Sequence, residues 1–252
     1  MDKHIISLVS YLNTKPFLYG LEQSAVRNKL ELQLDIPSVG GKKILNNTVD
    51  IGLVPVAVLA KLDDARIITD YCIGANGPVK SVSIFSEVPI DKVEKVFLDH
   101  HSLTSVQLVK ILLREHWQIN PLQIDAHTGY IEEIKGTTAG LVIGDRALLL
   151  NNRFEYVYDL SAAWKQLTGL PFVFAAWITR KSLPEDLITD INKALQIGVS
   201  HINTVAANYK HPNFSEKEVY DYLQNFISYN LDSTKRRALD LFIGKVRANV
   251  PV

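Results

Sequence analysis

Twice within the first 60 residues an apolar run of strand length gives way to a proline placed to open a helix. His4–Val9 is followed by Ser10-Tyr11-Leu12-Asn13-Thr14-Lys15-Pro16, and residues 50–54 run directly into Pro55. A proline ring presets φ and lacks only an N–H that a first helical turn leaves unpaired anyway. Helices are therefore expected over residues 17–23 and 56–62, each directly after a strand, which marks an α/β chain. Further strands are expected at residues 32–36, 66–71 and 79–85. A second α/β unit follows, with strands at 95–99, Leu122–Asp125 and 139–143 around a strongly periodic helix at 105–117. Phe172–Thr179 reads as a strand returning after Gly169-Leu170-Pro171. Residues 185–209, 216–229 and 233–246 read as helix, an all-helix tail.

A strand-rich start, a separable α/β middle and a helical tail predict two lobes joined by two crossings. The expected crossings lie near residues 79–86 and 173–180, so that 1–82 with 178–252 form one lobe and 83–177 the other. A single doubly wound sheet is the alternative that periodicity leaves open. The 252 residues contain no repeat, low-complexity tract or linker.

Composition removes several function classes. Lys plus Arg and Asp plus Glu stand at 27 each, so no basic field exists for nucleic acid or an anionic membrane. No apolar run approaches the ~18 residues of a membrane helix. The amino terminus lacks a charged leader region and a long apolar stretch, and the single Cys72 excludes an internal disulfide framework. A cytoplasmic address is expected. The seven histidines fall in no zinc-binding spacing, and Walker A, G-x-G-x-x-G and G-x-S-x-G motifs are missing, so neither a metal nor a nucleotide cofactor is expected. The Lys235-Arg236-Arg237 run is expected on a solvated helix face.

Ligands of open α/β sheets gather beyond the carboxyl ends of the strands, where helix N-termini also point. Three segments fall there. In the first, the Asn13 amide can donate and accept at once; a cap and turn is the plainer reading. In the second, Asp99-His100-His101-Ser102-Leu103-Thr104-Ser105, free helix N–H groups and the hydroxyls of Ser102, Thr104 and Ser105 suit a carboxylate. Capping alone needs only one of those hydroxyls. The third ends a buried strand at Gly144, where backbone can approach a ligand closely, and at Asp145, either an acid/base group or a helix cap.

Joint order and spacing then carry a resemblance. Ser10-Tyr11-Leu12-Asn13-Thr14-Lys15-Pro16, Asp50-Ile51-Gly52-Leu53-Val54-Pro55-Val56, Ser81-Val82-Ser83-Ile84-Phe85-Ser86, Ser102-Leu103-Thr104-Ser105, Ile143-Gly144-Asp145 and the stretch from Trp164 through Thr168-Gly169-Leu170-Pro171-Phe172 to Trp177 together resemble the chorismate dehydratases of menaquinone biosynthesis. The resemblance implies a type II periplasmic-binding-protein-like fold and loss of water from chorismate without a cofactor. It implies Asn13 near the C4 hydroxyl, with Asp145 a weaker catalytic candidate. Ser102, Thr104 and Ser105 would meet a substrate carboxylate, and Ser81 or Ser83 would reach the cleft from the hinge, with further contacts from Ser10, Tyr11, Val54, Pro55 and Gly144. Two rivals remain: a small-carboxylate-binding protein of the same fold, and the sibling dihydroxynaphthoate-forming enzyme, which typically carries His-Glu where this chain has Gly144-Asp145. No oligomeric state is legible.

Overall fold

The first strand is flanked on both sides by parallel partners and is buried on both faces: Ile6 and Leu8 lie on one, Ser7 and Val9 on the other. A computed structural model describes residues 3–150 and 152–248. In chain order the elements are β1 (His4–Val9), α1 (Lys15–Glu22), β2 (Leu30–Asp35), α2 (Pro37–Leu45), β3 (Ile51–Pro55) and β4 (Arg66–Ala75). Then come β5 (Val82–Ser86), β6 (Lys95–Leu98), α3 (Thr104–Glu115), β7 (Leu122–Asp125), β8 (Thr138–Ile143), α4 (Asp145–Leu150), β9 (Tyr156–Asp159) and α5 (Leu160–Thr168). The chain ends with β10 (Phe172–Thr179), α6 (Glu185–Ser200), α7 (Ile202–Asn208), α8 (Glu216–Asp221), β11 (Ser228–Asn230) and α9 (Ser233–Ala248).

Two mixed sheets form the two lobes, ordered β11-β4-β10-β3-β1-β2 and β7-β6-β8-β5-β9. The chain leaves the first sheet after β4 and re-enters it at β10, which pairs antiparallel with both β3 and β4. All of β10 therefore lies in the first sheet, and residues 169–171 lead back to it. The outward crossing is 76–81, because β5 pairs with β8 and β9 of the second sheet from Val82 onward.

In the second sheet, alternation along β8 sends Ala139, Leu141 and Ile143 into the main core and Val142 into a smaller outer cluster with Phe85, Phe97 and Tyr130, as a period of two requires. In the first lobe α1 and α6 meet backbone to backbone. A Cβ on Gly20 would lie 1.9 Å from the Ala194 carbonyl oxygen, and one on Gly198 would lie 1.8 Å from that of Pro16.

The helical tail needs correction. Ser228–Asn230 is an edge strand on β4, and residues 227–231 show the alternation that drives it, with Ile227, Tyr229 and Leu231 buried. Lys235 is not solvated either: it is buried, and its Nζ donates to the Asn230 carbonyl at 2.6 Å, closing the end of that strand.

Candidate functional site

The carboxyl ends of β1, β3, β6 and β8 converge where the lobes meet, and they enclose a cavity of about 500 Å³ including its mouth. Eight of the residues singled out above line it. Tyr11, Asn13 and Pro55 come from the first lobe, Ser81 from the crossing, and Ser102, Thr104, Ser105 and Gly144 from the second. Ser10, Val54, Ser83 and Asp145 do not line it.

The second-lobe wall is the start of α3. Ser102 Oγ accepts from Ser105 N at 2.9 Å, and Thr104 Oγ1 accepts from Ala57 N at 3.1 Å, a bond that crosses between the lobes. A hydroxyl that accepts from an amide keeps its own hydrogen to donate. Ser105 Oγ makes no side-chain hydrogen bond among the described residues and lines the cavity directly. Capping thus accounts for Ser102 alone.

The loop before α3 is shaped by Asp99, which is fully buried. One oxygen accepts from His101 N at 3.0 Å, and the other accepts from Ile143 N at 3.1 Å and Arg146 Nη2 at 2.6 Å. A buried carboxylate satisfied by an arginine and two amides is a stable arrangement.

On the first-lobe side, Asn13 is nearly buried, and its carbonyl accepts from the Tyr229 hydroxyl at 3.1 Å. Its Oδ1 receives the Thr14 hydroxyl at 3.4 Å. Tyr222 donates to Ser81 Oγ at 2.8 Å and also touches the Asn13 amide. Burial pushes the phenols of Tyr222 and Tyr229 well above their ordinary range, so both remain neutral donors. Both come from the tail, which the motifs do not reach. The signal for Tyr229 was the alternation noted above; none in the sequence marks Tyr222.

Asp145 opens α4, and its carboxylate accepts from Leu12 N at 3.0 and 3.2 Å, holding the amino-terminal turn from the opposite lobe. Burial raises its pKa, against the lowering effect of that bond. Gly144 has φ +68, and a Cβ there would lie 2.6 Å from the Tyr11 ring. Ser83 faces a second hollow behind the crossing, with its Oγ unpartnered among the described residues. Val54 packs in the core and Ser10 is half-buried, its N–H on the Asp35 carbonyl.

No Asp, Glu, His, Lys or Arg is among the described residues that line the cavity. Among the described residues no three His, Cys, Asp or Glu side chains come together to hold a metal ion, and no helix is long and apolar enough to cross a membrane. The cavity offers an uncharged wall of hydroxyls, amides and apolar groups, able to orient and polarise a small polar ligand.

Two lobes joined by paired crossings around such a cleft define the periplasmic-binding-protein class of α/β fold. Protein AF1704 from Archaeoglobus fulgidus superposes with a TM-score of 0.75 at 14% identity, covering 98% of this chain and 97% of that one. The Candida albicans CA3427 gene product, described as having the generic periplasmic binding protein fold, gives 0.65 at 10% identity, covering 100% and 92%. Within that fold the chain belongs to the menaquinone biosynthesis family, whose model matches residues 5–248. The chorismate dehydratase of Thermus thermophilus is 28% identical, over 96% of this chain and 94% of the relative. That of Campylobacter jejuni is 25% identical, over 97% and 98%.

Proposed function

We propose that this protein is a chorismate dehydratase, a hydro-lyase that converts chorismate to 3-[(1-carboxyvinyl)oxy]benzoate and water. The observation that carries the reading is the uncharged inter-lobe cavity lined by the family's own motif residues, in a chain alike to two chorismate dehydratases over nearly its whole length.

The reaction breaks a C–H bond at C3 and the C–O bond at C4, and the ring becomes aromatic. The driving force lies in the substrate, so the protein has to position and polarise it. The hydroxyls of Ser102, Thr104 and Ser105, with the amides at the start of α3, receive one substrate carboxylate. Asn13 holds the departing C4 hydroxyl through a bond that strengthens as the C–O bond lengthens. The uncharged lining leaves a carboxylate of the substrate itself as the base for the C3 proton, favoured by its intramolecular effective concentration. That proton leaves with the C4 hydroxyl as water. Asp145, committed to Leu12, serves as a positioning residue.

The test is ultraviolet and mass-spectral analysis of the purified protein with chorismate, alongside Asn13→Ala. The wild type is expected to form the aromatic product, and Asn13→Ala to lose about 10²–10³ in kcat, as when one well-placed donor is removed. Chorismate recovered unchanged after long incubation would support capture without chemistry and overturn the enzyme reading.

A further inference from the structure

Tyr11 spans the two lobes. It follows β1 in the first, its ring lies against Gly144 in the second, and its Oη is 3.0 Å from His101 Nδ1. The place that receives it is built on a fully buried carboxylate, Asp99. Asp99 holds the His101 amide and the Arg146 guanidinium at once. His101 is fixed a second time, by its carbonyl, which accepts from Ser38 N of the first lobe at 3.0 Å. Arg146, held on Asp99 from α4, brings its charge close to the same phenol.

We infer that Asp99, His101 and Arg146 form a receptor in the second lobe for the Tyr11 hydroxyl and are positioning residues that act on the reaction through Tyr11. This deepens the dehydratase reading and rests on it for its kinetic consequences. With the imidazole neutral and Nδ1 free of hydrogen, Tyr11 Oη donates to it. The neutral imidazole then carries its proton on Nε2, on the side of an outer hollow that His100, His127 and Arg153 also line. The phenol is committed to the lobe junction, and the cavity keeps the ring as its wall.

The groups facing His101 are Tyr11 from the amino-terminal turn, Asp99 and His100 from the loop after β6, and Arg146 from α4. Burial, then the Arg146 charge, lowers the His101 pKa, while Asp99 acts in the opposite sense. Protonation would put a hydrogen on Nδ1 and reverse the bond, with Tyr11 Oη accepting.

Tyr11→Phe, His101→Ala, His101→Asn and the Tyr11→Phe/His101→Ala pair test this in two ways: chorismate kinetics, and amide exchange at Leu12 and Ser38 without substrate. Each of the first two is expected to lower kcat/KM about three- to tenfold, chiefly through KM, as one neutral hydrogen bond is lost. The double variant should be no worse than the poorer single, because both remove the same contact. His101→Asn, whose amide oxygen can accept near the Nδ1 position, should recover most of the loss. Exchange at Leu12 and Ser38 should quicken several-fold in the first two variants. Wild-type kcat/KM and exchange in Tyr11→Phe, or losses that multiply in the double variant, would overturn the receptor. Should the wild type not turn chorismate over, the dehydratase reading falls and the exchange rates alone decide.

Discussion

The Tyr11 ring fills the space that any side chain on residue 144 would need: a Cβ built there meets Tyr11 Cε2, Cζ and Cδ2 at 2.6, 2.7 and 2.8 Å. The left-handed backbone at Gly144, with φ +68, excludes a side chain for a second reason. Gly144→Ala is expected to push Tyr11 and its lobe away from β8. The left-handed alanine alone costs ~1 kcal/mol, and the displaced wall should raise KM for chorismate about tenfold or more. Steady-state kinetics with a thermal melt separate the two effects, and an unaltered KM would show that the lobes tolerate the displacement.

The hydroxyls at the start of α3 are expected to divide by role. Thr104→Val strands the buried Ala57 amide and should cost about 1–3 kcal/mol of stability. Ser105→Ala strands nothing, so its melting temperature should hold while affinity for chorismate falls by ~1.5–3 kcal/mol, the loss of one charge-assisted bond. Calorimetric binding and melting of both variants check the division; loss of stability without loss of affinity in Ser105→Ala would make it a packing residue.

Asp145→Asn keeps an acceptor for the Leu12 amide and removes the charge. If the side chain only positions the amino-terminal turn, kcat should stay within about threefold, whereas an acid/base group would lose about 10²–10⁴. Burial raises the Asp145 pKa, so ionising it costs the folded state. That cost is absent below the unfolded carboxylate range and grows as pH rises through the folded pKa. Relative stability should accordingly move in favour of the asparagine variant as pH rises above the ordinary carboxylate range, measurable by denaturant titration.

Asp159 ties the outward crossing to α5: its carboxylate accepts from Val79 N at 2.8 Å and Lys80 N at 2.7 Å, and from Ser161 N and Ala162 N at 2.9 and 3.0 Å. Asp159→Asn replaces one acceptor oxygen by a donor that faces two of those amides. A stability loss of about 2 kcal/mol or more is expected, with a fall in kcat/KM, since the crossing sets the angle between the lobes. Urea denaturation and kinetics test both, and unchanged values would show that other contacts hold the crossing.

Much of the sheet order rests on runs that a reader of the chain can see. β1, β7 and β10 span the residues expected because each is a short apolar or alternating run, the last two opening directly after Pro121 and Pro171. Which sheet β10 joins was not visible, because periodicity says that a strand is buried and not by whom. The same limit hid β9, whose residues are only partly buried, and the three-residue β11. For the site, motif order brought Asn13, Ser81 and the α3 hydroxyls together, since each stands at a strand end. Tyr222 and Tyr229 reach Ser81 and Asn13 across 141 and 216 residues of chain, a separation over which no local pattern operates. Asp145 showed its residue type and not its partner: the Leu12 amide that occupies it is 133 positions away.

The position of β10 between β4 and β3 governs the order in which a growing chain can complete itself. The second sheet is contiguous, β5 to β9, and has all its strands once Asp159 has emerged from the ribosome. The first sheet must wait, with β3 and β4 lacking the partner they share until Phe172–Thr179 has been made. Two bare strand edges are thus carried through roughly half of synthesis, the kind of surface on which nascent chains aggregate. A chain halted after Asp159 has emerged but before β10 has would hold a complete second sheet and an open first one, so release of β10 is the step that turns the molecule from a sticky chain into a closed one.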